Sequence, residues 1–253
     1  MRRPSALLLV LCSLGLAAGC AGEPAPDPAP PVSDASKVRG QERSFRGGDV
    51  ESWARLLSDG TVNEVGVSVP FSLLGSAPSA EEVVRLSFPA QVPASTVVHH
   101  VDFAYSPGHA PEAYGVAHVD LRFHAFPEDA RPADDCLDVT PAPAAGLPEG
   151  YVAAPPGPAP QGGCVPGVGV RAVDAAREGP LTAAIALGYY AGEFAVLEPS
   201  VARSMLLEKQ GVLVPVPRPP SLDKAVRYPA IFRAHYDAED DAYDFVLSDF
   251  RAG

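Results

Sequence analysis

Basic residues are scarce in this chain. Lys and Arg total 19 against 31 Asp and Glu, a net charge of -12. No Lys/Arg cluster offsets that balance, which argues against nucleic acid as a partner, because phosphate binding needs grouped cations. Cysteine is also rare, with four in 253 residues. None of them forms the close C-x-x-C pair of a structural zinc site. Beyond the N-terminal segment no apolar run is long enough to cross a bilayer. The G-x-S-x-G elbow, the H-E-x-x-H helix and the P-loop are all missing, so three common kinds of enzyme lose their usual signature.

Proline is abundant, with 29 residues, and this favours short strands, turns and linkers over a helical bundle. The 47% hydrophobic share is too high for a wholly disordered chain. The expected fold is mainly β: a single antiparallel, barrel-like domain with short helices and one long Pro/Gly-rich loop.

The first 20 residues, MRRPSALLLVLCSLGLAAGC, have the three parts of an export signal. Arg2 and Arg3 supply the charged start, and Ala6 to Leu16 form an apolar run too short to span. Ala17, Ala18 and Gly19 precede Cys20 as in a lipoprotein processing site, so residues 1–19 are expected to leave and Cys20 to carry lipid. Residues 20–43 then read as a Pro/Ala-rich tether, and 44–253 as a single β-rich domain. The expected location is the extracytoplasmic, periplasmic face of a bacterial membrane, the outer membrane in particular. The membrane is the partner through the lipid, and a homo-oligomer stays open.

Cys12 leaves with the signal, which leaves Cys136 and Cys164 to form one disulfide in an oxidising compartment. Metal ligation and a catalytic thiol are the weaker alternatives for this pair. Thr140 to Gly163, between them, has little periodicity and much Pro and Gly, and reads as a loop. In the body, alternation marks strands around 52–57, 65–69, 83–88, 97–105 and 116–126. Leu181 to Leu197 fits a hairpin and Val201 to Gln210 a helix. Strands resume at 212–216, 231–236 and 243–247. Asp237, Glu239, Asp240 and Asp241 form an acidic turn without the spacing of a calcium loop.

Five of the six histidines lie between His99 and His124. In strand period, His100 and Asp102 share one face. His118, Asp120, Arg122 and His124 share a face of the next strand. Pairing the two strands across 107–115 is expected to set His100 and Asp102 opposite His118 and Asp120, with His109 at the rim. Neutral imidazoles converging with a carboxylate form a transition-metal site. An outer Asp can also fix the tautomer of a ligating His. A polar strand face held by His–Asp and Asp–Arg hydrogen bonds explains the same residues equally well. Ser106 beside such a pair suggests a triad, but Ser before Pro107 is a turn former.

The segment resembles the TTHB210-like family, bacterial proteins built on a domain of unknown function. The likeness rests on His100, the G-H-x-P turn at Gly108, His109 and Pro111, Tyr114, and the H-x-D strand at His118 and Asp120 with Phe123. Tyr190, Gly192, Glu198 and Pro199 fit a later stretch, and the whole spans roughly 45–250. The resemblance implies that His109, His118, Asp120 and Glu198 converge. Two family histidines fall on Arg122 and Arg171, which cannot ligate a metal, and His124 lies where it can replace one of them. The expected ligands of a zinc-like divalent ion are therefore His109, His118, His124 and Glu198. His100, Asp120, Arg122 and Arg171 stand around them.

Three classes of function follow. The first is a lipid-anchored binding protein whose pocket takes a divalent metal or a small polar ligand. The second is a structural or assembly module with a degenerate, metal-free site. The third and least supported is an enzyme with a His-bound metal.

Overall fold

A computed structural model describes residues 35–109, 114–130, 136–154 and 164–253. The export signal, Cys20, the tether up to residue 34, the 110–113 part of the G-H-x-P turn and 155–163 of the Pro/Gly loop lie outside the described residues. Strand makes up 48% of the structure and helix 9%, so the chain is mainly β. The strands divide between two antiparallel sheets that do not close into a barrel.

The first sheet contains β1 (Ser36–Phe45), β2 (Gly48–Leu56) and β3 (Val62–Pro70). The second begins with β4 (Glu82–Ser87), β5 (His100–Ser106) and β6 (His118–His124), and α1 (Gln91–Ser95) lies between β4 and β5. It continues through β7 (Tyr151–Ala153), β8 (Cys164–Val165), β9 (Gly169–Asp174), β10 (Ala183–Tyr190) and β11 (Glu193–Ala202). After α2 (Arg203–Leu207) the chain returns to the first sheet with β12 (Val212–Pro215), β13 (Ile231–Asp237) and β14 (Ala242–Ser248). The strand orders are β1-β2-β3-β14-β13-β12 and β4-β5-β6-β11-β10-β9-β7, with β8 also paired to β9.

The inner faces follow from alternation. Val65, Val67, Val69, Phe232, Phe245 and Leu247 of the first sheet share one core with Val101, Phe103, Tyr105, Val119, Leu121 and Phe123 of the second. Phe103 joins the sheets, with its ring 5.3 Å from Phe45 and 6.3 Å from Phe245. Each such side chain contributes about 1.5–3 kcal/mol by burial. The sheets also approach where β1 and β2 meet β4, through side chains in place of a main-chain ladder. Ser52 Oγ donates to Ser87 O at 2.7 Å, and Gln41 Oε1 accepts from Ser87 N at 3.1 Å. Polar side chains stitch this edge, and a closing strand pair is not formed there.

Several sequence expectations need correction. The tether expected to run to residue 43 ends earlier, because β1 starts at Ser36 and pairs with β2. The 140–163 loop contains β7, held at the sheet edge by Ala172 to Asp174 of β9. The helix expected over 201–210 shrinks to Arg203–Leu207, because Val201 and Ala202 are still in the sheet, opposite Val119 and His118. The disulfide joins Cys136 to Cys164 with Cα atoms 5.9 Å apart. It packs on Val170 and ties the segment ahead of β7 to β8.

Candidate metal centre

The centre of the second sheet, made by β5, β6 and most of β11, is buried on both faces. One face is the apolar core. The other carries His100, Asp102, Ser106, His118, Asp120, Arg122, His124, Glu198 and Ser200, each no more than 5% exposed. Burying so many polar groups is costly unless each finds a partner or a counter-charge.

The register of β5 and β6 divides this face into two ends. His100 pairs with His124, Asp102 with Arg122, Ala104 with Asp120 and Ser106 with His118. The expected placement of His100 and Asp102 opposite His118 and Asp120 is therefore wrong. In an antiparallel hairpin the first residue of one strand meets the last of the next. His118 and His124 are six residues apart on one strand, roughly 20 Å, and cannot share an ion.

At the far end, the His100 and His124 rings stack 4.2 Å apart with 10° between their planes. His124 Nε2 lies 3.2 Å from Asp102 Oδ2. Arg85 donates to both Asp102 oxygens, at 2.6 and 2.7 Å. Burial alone would raise the Asp102 carboxyl, but hydrogen bonds from His124 and Arg85 hold it well below the usual carboxylate range. A guanidinium already occupies this carboxylate, so the cluster is an ion-paired network and unfavourable for a second cation.

In the middle of the face, Arg171 grips Glu198 through Nε and Nη2, both at 2.7 Å. Arg122 Nε donates to the same carboxylate at 3.1 Å, and its Nη atoms reach both oxygens of Glu81 at 3.0 and 3.1 Å. Glu198 therefore serves as the shared counter-ion of Arg122 and Arg171. That removes it from the expected ligand set. Across this row, Arg85, Arg122 and Arg171 are matched by Asp102, Glu81 and Glu198.

Asp120 is the carboxylate this matching leaves over. It sits at the loop end of β6 with His118 and His109, and the ligand atoms of all three lie within 4.8 Å of one another. Gly108 is needed to bring His109 there. Its φ is +108°, and a Cβ would come 2.6 Å from Gly115 O. His109 N donates to Tyr114 O at 2.8 Å. The His109 ring stacks on Tyr114 at 5.6 Å and meets the His118 ring edge-on at 5.0 Å.

His118 is oriented by the main chain. Its Nδ1–H donates to Val116 O at 2.7 Å, which turns the Nε2 lone pair inward. Asp120 Oδ1 accepts from Ser200 Oγ. The remaining atoms, His118 Nε2 and Asp120 Oδ2, are buried and face each other at 3.3 Å, within ion-pair distance, and neither has another polar partner among the described residues. Asp120 was expected to fix the tautomer of a ligating His. That task falls to Val116 O, and Asp120 faces the lone pair directly.

Two electron-rich atoms in this position need positive charge between them. Burial pushes the Asp120 carboxyl up, but His118, with Arg171 and Arg122 behind it, pulls it below its usual range. Burial likewise lowers His118, and the facing Asp120 more than reverses this and raises it. The pair holds a proton in the absence of metal, or a metal ion in the proton's place. Bonds of about 2.0–2.1 Å at a tetrahedral angle set two ligands about 3.3–3.4 Å apart, the separation found here.

Ser200, Glu81 and Tyr114 were not singled out as partners of this face from the sequence. Ser200 follows Glu198 by two and so shares its face, a signal that period-2 reading contains. Glu81 precedes its strand and leaves no such trace. Ser106 Oγ accepts from Gly108 N at 3.2 Å and shapes the turn. Comparison with family models, with curated proteins and with solved structures finds no match for this chain.

Proposed function

We propose that this chain is a lipid-anchored, extracytoplasmic protein that binds one divalent transition metal through His109, His118 and Asp120. The observation that carries the reading is the buried pair His118 Nε2 and Asp120 Oδ2, which face each other at 3.3 Å with no other polar partner among the described residues. Two imidazoles and a carboxylate favour zinc and its neighbours over calcium or magnesium, which prefer all-oxygen sites. Val116 O and Ser200 Oγ supply the outer hydrogen bonds that hold such ligands in place. Anchoring rests on the LAAGC sequence ending at Cys20. Among the described residues no helix is long and apolar enough to cross a membrane, so the lipid is the means of attachment in this reading.

Zinc titration by calorimetry, with elemental analysis of protein purified without a His tag, tests it. One equivalent is expected for the parent and none for Asp120→Asn or His118→Ala. A parent that binds no zinc, cobalt or nickel overturns the reading.

A further inference from the structure

The ligands of the candidate centre are held unequally. His118 and Asp120 project from β6, a strand buried along its whole length. His109 lies beyond the end of β5, in the connection to β6, and is half-buried. A metal site needs every ligand fixed beforehand, because ordering a loose imidazole subtracts from affinity.

Tyr114 meets this need with its main chain and its ring. Its carbonyl accepts the His109 N–H at 2.8 Å. Its ring lies within 7° of parallel to the His109 ring, with centres 5.6 Å apart, and offset rings of this kind attract. The same ring stands at 68° to His118, with centres 5.8 Å apart. Tyr114 therefore touches both imidazoles of the centre. On its other contacts it packs against Leu181, Ala184 and Ala202, together with Met205. Ala202 is the β11 residue that pairs with His118. The Arg177 guanidinium lies 5.0 Å from the ring centre, a cation–π contact that also fixes the ring. Tyr114 is thus seated on the sheet and forms a wall for the ligand in the connection.

We propose that Tyr114 is a positioning residue of the metal centre, whose ring, seated on the Leu181 cluster, holds the His109 imidazole in place as the third ligand. The inference rests on the metal site of the preceding section. Tyr114 acts through His109, since His118 is already set by β6 and by Val116 O. Without the ring, the ion keeps His118 and Asp120 and takes water in place of His109.

The test compares Tyr114→Phe, Tyr114→Leu, His109→Ala and the double variant Tyr114→Leu with His109→Ala. Each is titrated with zinc by calorimetry and with cobalt(II), whose visible bands weaken when water replaces a protein ligand. Tyr114→Phe keeps the ring and should match the parent in affinity and bands. Tyr114→Leu refills the apolar cluster without a ring. It should bind metal about 10–100-fold more weakly, the usual cost of losing a group that orients a ligand. Its cobalt bands should be as weak as those of His109→Ala. The double variant should bind no more weakly than His109→Ala, because the two changes remove the same contact. Parent-like affinity and bands in Tyr114→Leu overturn the inference and leave the metal site standing. So does a double variant that adds the whole loss of Tyr114→Leu to that of His109→Ala, since Tyr114 would then act elsewhere. If Tyr114→Leu does not fold, Tyr114→Met, with a more adaptable side chain, takes its place under the same expectations. Failure of both to fold also overturns the inference, because Tyr114 would then serve the core. A parent that takes up neither zinc nor cobalt removes the metal site and this inference together.

Discussion

Arg171 closes on Glu198 with two hydrogen bonds of 2.7 Å across the polar face of the second sheet. Glu198 is 1% exposed, so this contact is an ion pair deep in the fold. Arg122 completes it from the other side. The three residues tie β6, β9 and β11 together, and among the described residues of this face they leave Asp120 with His118 and without an arginine partner.

Stability and metal binding should therefore separate by residue. Glu198→Gln leaves two guanidinia without their shared counter-ion and should cost about 3 kcal/mol or more. Its zinc stoichiometry should stay at one. Asp120→Asn should show the reverse pattern, with little change in the urea midpoint of the metal-free protein and no zinc bound. Urea unfolding of both variants, read beside zinc uptake, checks this. Loss of zinc from Glu198→Gln while it remains folded would contradict the assignment.

How far the sequence showed this depends on the segment. Period-2 alternation placed β5 and β6 and put His118 and Asp120 on one face, because both strands have one apolar side. The opposite-end pairing of His100 with His124 follows from the hairpin, but alternation alone is silent on register. β1 was missed because SKVRGQERSF is an exposed edge strand that buries only Phe45. Its partner β2 supplies the signal. In the centre, His109, His118 and Asp120 were legible as residue types. The division of labour among the acids was not. It depends on which carboxylate each arginine reaches, and Glu81, Glu198 and Asp102 come from three different parts of the chain.

The Cys136–Cys164 bond closes a segment with a sequence separation of 28. Replacing both with Ser should lower stability by about 3–4 kcal/mol, through the freedom restored to the unfolded chain. Zinc affinity should be unchanged, since neither sulfur lies in the metal cluster. Thermal unfolding with and without reductant, followed by zinc titration, measures both effects.

Acid should act through Asp102. Its folded carboxyl titrates well below the unfolded one. The stability it supplies is thus complete above the unfolded value of about 3.9 and is lost as pH falls through the folded value. Asp102→Asn should be destabilised at neutral pH, and the gap to the parent should narrow steadily below about pH 4. A gap that stays constant down to acid unfolding would show that the ion pair with Arg85 does not control this window.

Anchoring is tested independently of the fold. Cys20→Ala should move the protein from the membrane fraction to the soluble extracytoplasmic fraction, because one thiol carries all the lipid in this account. Unchanged membrane retention after cell fractionation would remove the lipoprotein assignment.

The central claim concerns where a metal sits. Anomalous diffraction at the zinc edge, from crystals grown with one equivalent of zinc, locates it directly. The account predicts a single peak about 2.0–2.1 Å from nitrogens of His109 and His118 and an oxygen of Asp120. A peak between His100, His124 and Asp102, or no peak beside Asp120 in zinc-loaded crystals, would contradict it.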